Sequence, residues 1–587
     1  MTAPTRSAPS GDRWLIRFAS AFGLAGFALA LPLVRTLVEA PEFFVAHDLG
    51  RGGTVAYLVG LIVVVPALLG LAASGSGRVR WALVALLGAV AVAGVAQPVS
   101  GSSALFAGLV VAGGLGLALA DQGRPAVRAT LSYLVVVPLL LAAWSVGPSR
   151  VGAYLRSGEA ATVATTAEGP LAPVVVIVFD ELPLTALLRR DLTIDPVKFP
   201  NLAALAATSD WFRMASSVSP QTSASVPALL SGQAPDLDKV PVSGDYPQNL
   251  FLQLGRTHEV HAVEPLTALC PGSVCGAPAV AVDDPAEPAE VTRPSVLADS
   301  WLVLRHAVGT GAIRRGLPSI SQGWAGFGDT TSLAAADHDA EAPDGGFGTF
   351  PAQVRALHEL ATTKPSGERP LLLVAHLLAP HMPWVALPDG STYGTYGSPG
   401  LETVDGSLTW TGGEAERRQG YQRLLLQLGA LDRAFGEARA ELERTGLWDG
   451  ALVAVTADHG VQFEPGPTRA AGVGGAEVTA VPLLVKRPHQ TKGRVDDRAA
   501  LTIDLVPSLL GRLEVSSPSR FDGLDLYDED VPATRRGAFL AAAGDEATPQ
   551  QDRAELERGP ASGPLDRSRR RVDAGVPTRR GPGDRPG

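Results

Sequence analysis

The chain has 587 residues, too many for one compact domain, and its formal net charge of −10 excludes general nucleic-acid binding, which needs a basic surface to neutralise phosphates. Hydrophobic residues make up 46% and charged residues only 18%, with a mean hydropathy of +0.16. Those values are the average expected when apolar membrane segments are joined to an ordinary polar domain.

The first 150 residues are nearly free of charge. Residues 18–34 are uncharged and apolar, beginning just after Arg17. A second run covers 52–77, with its apolar part at 54–73. A third, at 81–120, is about twice the length of one span and is interrupted by a polar turn at 97–103. Residues 129–149 form the last. Roughly 20 apolar residues cross the hydrocarbon core, so residues 1–150 are expected to make five crossings. Further spans follow the first run, so it is not read as a cleaved signal peptide.

Arg6, Arg13, Arg17, Arg78, Arg80, Arg124 and Arg128 all fall on one side of this pattern. The opposite loops mix Arg35 and Arg51 with Glu39, Glu42 and Asp48, or carry no charge at 98–103. The positive-inside rule then puts the N-terminus in the cytoplasm and everything after about residue 150 outside the cytoplasmic membrane. Cys270 and Cys275 are the only cysteines, and so close a pair in an oxidising compartment predicts a disulfide.

Residues 151–170, rich in Gly, Ala, Thr, Ser and Glu, read as a linker. Beyond it, apolar β-branched runs at 174–179, 259–263, 371–378, 452–456 and 481–485 alternate with helical patterns at 201–207, 354–362 and 414–447. Strands apolar on both faces and separated by helices describe an α/β domain with a mainly parallel central sheet. In such sheets chemistry gathers at the carboxyl ends of strands. The residues found there are Asp180 and Glu181, His376 followed by Pro380-His381-Met382-Pro383, and Asp458-His459-Gly460. A hydroxyl-rich stretch containing Thr222, Ser223 and Ser225 precedes the helical Leu229-Leu230-Ser231-Gly232. Asp180, Asp458 and His459 offer two carboxylates and one imidazole nitrogen, a donor mixture suited to one divalent ion, zinc or manganese ahead of calcium or magnesium. Glu181 is an alternative to Asp180, but successive strand residues point to opposite faces, so only one of the two is expected to aim at the metal.

The order of strand-Asp180, Phe199-Pro200-Asn201-Leu202, Leu229-Leu230-Ser231-Gly232, Pro380-His381-Met382-Pro383 and Asp458-His459-Gly460 resembles the sulfatase-like family of the alkaline-phosphatase superfamily. Val481-Pro482-Leu483-Leu484-Val485-Lys486 and Asp504-Leu505-Val506-Pro507-Ser508-Leu509-Leu510 fit its C-terminal part. The resemblance covers residues 171–530, and five spans before such a domain are similar to lipoteichoic acid synthases and phosphoethanolamine transferases.

In type I sulfatases the residue converted to formylglycine lies seven positions before a Leu-Leu pair, and counting back from Leu229 gives Thr222. The Pro and Arg of the sulfatase motif are missing, and threonine cannot become formylglycine. The resemblance therefore implies a phosphate-directed enzyme with Thr222 as nucleophile and metal ligand, Ser223 and Ser225 as fallbacks, and His381 and His376 as substrate-binding groups. The expected activity is a metal-dependent phosphoryl transferase or phosphodiesterase acting on membrane lipids or an envelope polymer. A hydrolase of phosphate or sulfate esters and an inactive envelope-binding scaffold are the alternatives. Oligomeric state is not legible. Residues 543–587 lack apolar content, carry many arginines and read as a disordered tail.

Overall fold

Apolar runs of membrane length have no alternative to helix, because every backbone polar group must be satisfied within the segment. The computed structural model accordingly has, among its described residues, five helices long and apolar enough to cross a membrane: Trp14–Leu37, Gly50–Ser74, Gly77–Ala96, Leu105–Gly123 and Pro125–Val146. It describes residues 10–47, 49–96, 103–169, 171–275, 295–309, 313, 317, 320, 350–392, 398–404, 407–469, 475–529 and 531. Most of the polar turn expected at 97–103 and the whole tail expected at 543–587 lie outside the described residues.

The third and fourth helices are joined by a buried ion pair, Arg80 to Asp121 at 2.6 Å, with the two side chains 4% and 2% exposed. Arg80 also donates to the Arg17 carbonyl at 2.8 Å and to Ser20 Oγ at 3.0 Å, which ties the first helix to the same corner. Gly114 allows the close crossing of these two helices, since a Cβ there would collide with the Ala85 carbonyl oxygen.

The expected linker starts as a short helix, Arg150–Arg156, capped by Ser149, whose hydroxyl accepts from the Gly152 amide. Thr166 and Ala167 then pair with Ser516 and Val515, closing the start of the α/β domain onto its end.

Among the described residues, the domain is built on a seven-stranded sheet. Its strands in chain order are β1 (Val174–Asp180), β2 (Asp210–Phe212), β3 (Glu259–Val263), β4 (Leu371–Pro380), β5 (Leu452–Ala457), β6 (Leu483–Lys486) and β7 (Arg494–Asp496). Their spatial order is β7-β2-β6-β5-β1-β4-β3. The pairs β3·β4, β4·β1, β1·β5 and β2·β7 are parallel, and β6 runs antiparallel to both β5 and β2. The sheet is thus mainly parallel, as expected, with one reversed strand. The short β2 and β7 escaped the sequence reading because three residues give too little alternation to register.

The helices that matter here are α1 (Pro200–Ala206), α2 (Thr222–Ser231), α3 (Val296–Val308), α4 (Phe350–Thr362), α5 (Glu414–Arg444) and α6 (Leu505–Arg512). Side chains alternate across β1, and the two sets enter different cores. Val175, Ile177 and Phe179 pack with α4 and α5, through Leu357, Leu360, Leu428, Leu431 and Phe435. Val174, Val176 and Val178 pack with α2 and α6, through Leu229, Leu230, Leu505 and Leu509. A sheet covered on both faces is why β1 reads as an unbroken apolar run.

Candidate active site

The central strands β1, β4 and β5 end side by side, and each delivers polar residues to the same place. β1 is buried along its whole length and finishes in Asp180, which is 1% exposed. Glu181 then leaves the strand with φ 62°, a left-handed conformation that a non-glycine residue adopts only when its surroundings hold it there. The Glu181 amide donates to Asp458 Oδ1 at 3.0 Å, and the Asp458 amide donates to the Phe179 carbonyl at 3.1 Å. The ends of β1 and β5 are locked together in this way.

Thr222 occupies the first turn of α2, after Gln221 as N-cap, and is 7% exposed. Its hydroxyl lies 3.4 Å from Asp180 Oδ2 and 3.3 Å from His459 Nε2. The positive end of the helix dipole favours negative charge at this oxygen. Ser225, one turn on, donates to the Asp458 carbonyl at 2.6 Å, and Ser217 donates to the same oxygen. Ser225 is therefore engaged in shaping the loop, whereas Ser223 is half-exposed.

His459 Nδ1 faces the Gly460 carbonyl at 3.0 Å. That contact needs the proton on Nδ1, which leaves the Nε2 lone pair directed at Thr222 and at Asp458 Oδ2, 3.3 Å away. Burial, reinforced by Arg469, holds the His459 pKa well below normal, so the ring stays neutral as a ligand must. Burial pushes Asp458 up to about 7. Burial and the neighbouring Asp458 push Asp180 well above the carboxylate range. Both shifts report two carboxylates crowded together away from water.

One ligand atom from each of Asp180, Asp458 and His459 comes within 4.8 Å of the others. Asp180 Oδ1 and Asp458 Oδ2 are buried without a hydrogen-bond partner. Orphaned anionic oxygens beside a neutral imidazole lone pair and a hydroxyl fit a divalent cation.

The sequence-predicted histidines fall on the rim of this cluster. His376 lies within β4, fully buried, with Nε2 3.8 Å from Asp180 Oδ2 and no hydrogen-bond partner on either nitrogen. Burial drives its pKa to about 3. His381 follows β4, with Nδ1 2.6 Å from the Met382 carbonyl and Nε2 3.8 Å from Glu181 Oε2. Burial lowers its pKa and the Glu181 carboxylate works against that.

Glu181 departs from the face-alternation argument. With β1 ending at Asp180, its carboxylate turns into the same site, where Oε1 meets Arg469 Nε at 2.5 Å. No sequence motif marks Arg469, a single arginine in an irregular loop. Three carboxylates, Asp180, Glu181 and Asp458, thus face one guanidinium, and the formal surplus of two negative charges equals the charge of one divalent ion.

Residues 326–515 match the Sulfatase family model, a stretch that includes His376, His381, Asp458, His459 and Arg469 but neither Asp180 nor Thr222. The multifunctional alkaline phosphatase superfamily protein PehA of Trinickia caryophylli is 32% identical over 117 residues, 19% of this chain and 22% of that protein. An ulvan-active sulfatase of Formosa agariphila is 28% identical over 165 residues, 27% of this chain and 32% of that protein. The chain thus aligns with a fifth to a third of the length of these relatives. A phosphonate monoester hydrolase of Agrobacterium radiobacter superimposes with 16% identity and TM-score 0.39, covering 62% of this chain and 79% of that one. Human N-sulphoglucosamine sulphohydrolase is 33% identical over 94 residues, 16% of this chain and 18% of that protein.

Proposed function

From a chain that carries a sulfatase-family domain behind five membrane-length apolar helices, we propose a membrane-anchored, metal-dependent enzyme that cleaves phosphate esters through a Thr222 nucleophile. The carrying observation is the Thr222 hydroxyl, set 3.4 Å from Asp180 Oδ2 and 3.3 Å from His459 Nε2 at the start of a helix. Sulfate-ester hydrolysis of the formylglycine type is disfavoured, because Thr222 has no thiol or primary hydroxyl to oxidise to an aldehyde.

A divalent ion held by Asp180, Asp458, His459 and Thr222, manganese or zinc by this donor set, would supply Lewis-acid polarisation of the ester and lower the pKa of the hydroxyl. Thr222 Oγ1 attacks phosphorus in line with the leaving oxygen, and its proton passes towards Asp180 Oδ2, the carboxylate oxygen it already faces. As the phosphorus–oxygen ester bond breaks, the departing alkoxide takes the Nε2 proton of His381 in its minor imidazolium form, which the Glu181 carboxylate 3.8 Å away favours against burial. Arg469 opposes the charge that grows on the phosphoryl oxygens, and the buried neutral His376 stands ready to hydrogen-bond one of them. Water or an acceptor hydroxyl then displaces Thr222 from phosphorus, which gives hydrolysis or transfer respectively.

The arginine-rich loops support an orientation with the α/β domain outside the cytoplasmic membrane. The Cys270–Cys275 disulfide supports the same side, since such bonds persist in oxidising compartments. That placement favours lipid-linked or envelope-polymer phosphate esters as substrates. The test is to incubate the purified full chain with membrane phospholipid or bis-(p-nitrophenyl) phosphate and map covalent adducts by mass spectrometry, with metal content measured in parallel. A phospho-adduct on Thr222 and about one divalent ion per chain are expected. An adduct on Ser223 would displace the nucleophile, and a metal-free protein without turnover would leave only the binding-scaffold reading.

A further inference from the structure

We propose that α3 (Val296–Val308), an insertion between β3 and β4, lies in the membrane–water interface on the side that carries the α/β domain, with Leu297 and Trp301 facing lipid. It would form a second, non-covalent attachment of that domain to the bilayer. The inference does not depend on the catalytic reading.

One face of α3 is built into the membrane region. Leu302, Val303 and Leu304 share a core with Leu33, Val34 and Leu37 of the first apolar helix, Leu58 and Ile62 of the second and Leu141 of the fifth. Two polar contacts fix the rotation of α3 on that core. Asp299 Oδ2 meets His47 Nε2 at 3.0 Å, and the Ser300 hydroxyl meets the Tyr57 hydroxyl at 2.6 Å. Tyr57 lies seven residues inside the second apolar helix, which starts at Gly50, or about 10 Å at the helical rise. A helix whose Ser300 reaches that tyrosine sits at the level where apolar span gives way to loop, rather than above it.

The remaining face is the one left for a different neighbour. Leu297 is 72% and Trp301 62% exposed, one turn apart, and Arg305 is exposed one turn further on. An apolar residue, a tryptophan and an arginine in line are the composition of an interfacial stripe: the indole belongs at headgroup depth and the guanidinium reaches up to water. Lipid is the occupant that continuity favours, because the helices sharing a core with α3 expose their other apolar side chains, such as Val59, Val63 and Val64, to the same surroundings. A short helix with this stripe, docked on membrane helices, keeps the domain at one height and one tilt over the surface.

The two native cysteines are joined, so one introduced cysteine is a unique labelling site. Trp301→Cys in the full chain, spin-labelled and reconstituted in phosphatidylcholine–phosphatidylglycerol vesicles, is compared with Leu68→Cys, 60% exposed within the second apolar helix, as the lipid reference. Lys492→Cys, exposed at the opposite edge of the sheet, is the water reference. The expected result is oxygen accessibility close to that at Leu68 and accessibility to a water-soluble nickel chelate several-fold below that at Lys492. Leu297→Cys, which keeps the tryptophan, must behave in the same way. Chelate accessibility equal to that at Lys492 overturns the proposal, and so does protection from both reagents, which would mean that protein covers the stripe.

Discussion

Thr222→Ala separates chemistry from architecture at the proposed nucleophile. The hydroxyl contacts at 3.4 and 3.3 Å are longer than good O–H···O hydrogen bonds. Losing them costs about 0.5–1 kcal/mol of stability, and removing the buried γ-methyl adds about 1 kcal/mol. Against that, deleting the group that forms the covalent bond should lower kcat by at least ~10³-fold, about 4 kcal/mol of barrier. Thr222→Ser keeps an oxygen on the same carbon and should stay within about tenfold of the parent. The assay is the initial rate of nitrophenol release from bis-(p-nitrophenyl) phosphate by the full chain in detergent, with thermal unfolding of each variant run alongside. Ser225→Ala is the control: it removes a 2.6 Å bond to the Asp458 carbonyl, so it should cost about 1 kcal/mol of stability while turnover persists. A Thr222→Ala protein with more than about a tenth of parental kcat would refute the reasoning. The same holds if Ser223→Ala proves inert while Thr222→Ala is active.

Arg469→Gln removes the guanidinium that meets Glu181, whose side chain is fully buried. Breaking a buried pair from one side costs about 3–5 kcal/mol, and the 24% exposure of the arginine reduces this to about 2–3 kcal/mol. The double variant with Glu181→Gln should recover part of the loss, and simple additivity of unfolding midpoints would show that the pair is not coupled. Cys270→Ser with Cys275→Ser opens a loop of sequence separation 5 and should lower stability by about 2 kcal/mol, with reduction of the parent by dithiothreitol giving the same drop. His258 is buried, with Nε2 3.1 Å from the Ala172 carbonyl, and burial lowers its pKa below 6.5. The unfolded chain therefore binds the proton first, and stability present above pH 6.5 is lost as pH falls through the lower folded value. His258→Asn should flatten the unfolding-temperature profile below pH 6.5, and an unchanged slope would remove His258 as its source.

The local sequence carried much of the architecture. The membrane-length helices are legible because an apolar run of that length has one way to satisfy its backbone without water, so the runs at 18–34 and 54–73 fall inside Trp14–Leu37 and Gly50–Ser74. β1, β4 and β5 are legible because burial on both faces demands unbroken apolar strands, and a strand that ends in Asp180 or runs into Asp458-His459 stands out against that background. Cys270 and Cys275 needed only their spacing.

Other features depend on contacts far apart in the chain and leave no periodic trace. The left-handed backbone of Glu181 is held by Asp458, and only that turn brings both adjacent carboxylates into one site, against strand alternation. Arg469 acquires its role from Glu181, 288 residues away. Ser225 is marked as structural by a bond to a carbonyl 233 residues distant. The apolar seat of α3 among the membrane helices is likewise a matter of packing, since its own amphipathic pattern fits a soluble helix equally well. Sequence alone determined which segments are long and apolar enough to cross a membrane, which strands lie buried and which residues stand at their ends, because burial and periodicity are local. The tertiary structure decided which of those residues meet and in what protonation state, because charge pairing and desolvation depend on what folding brings together.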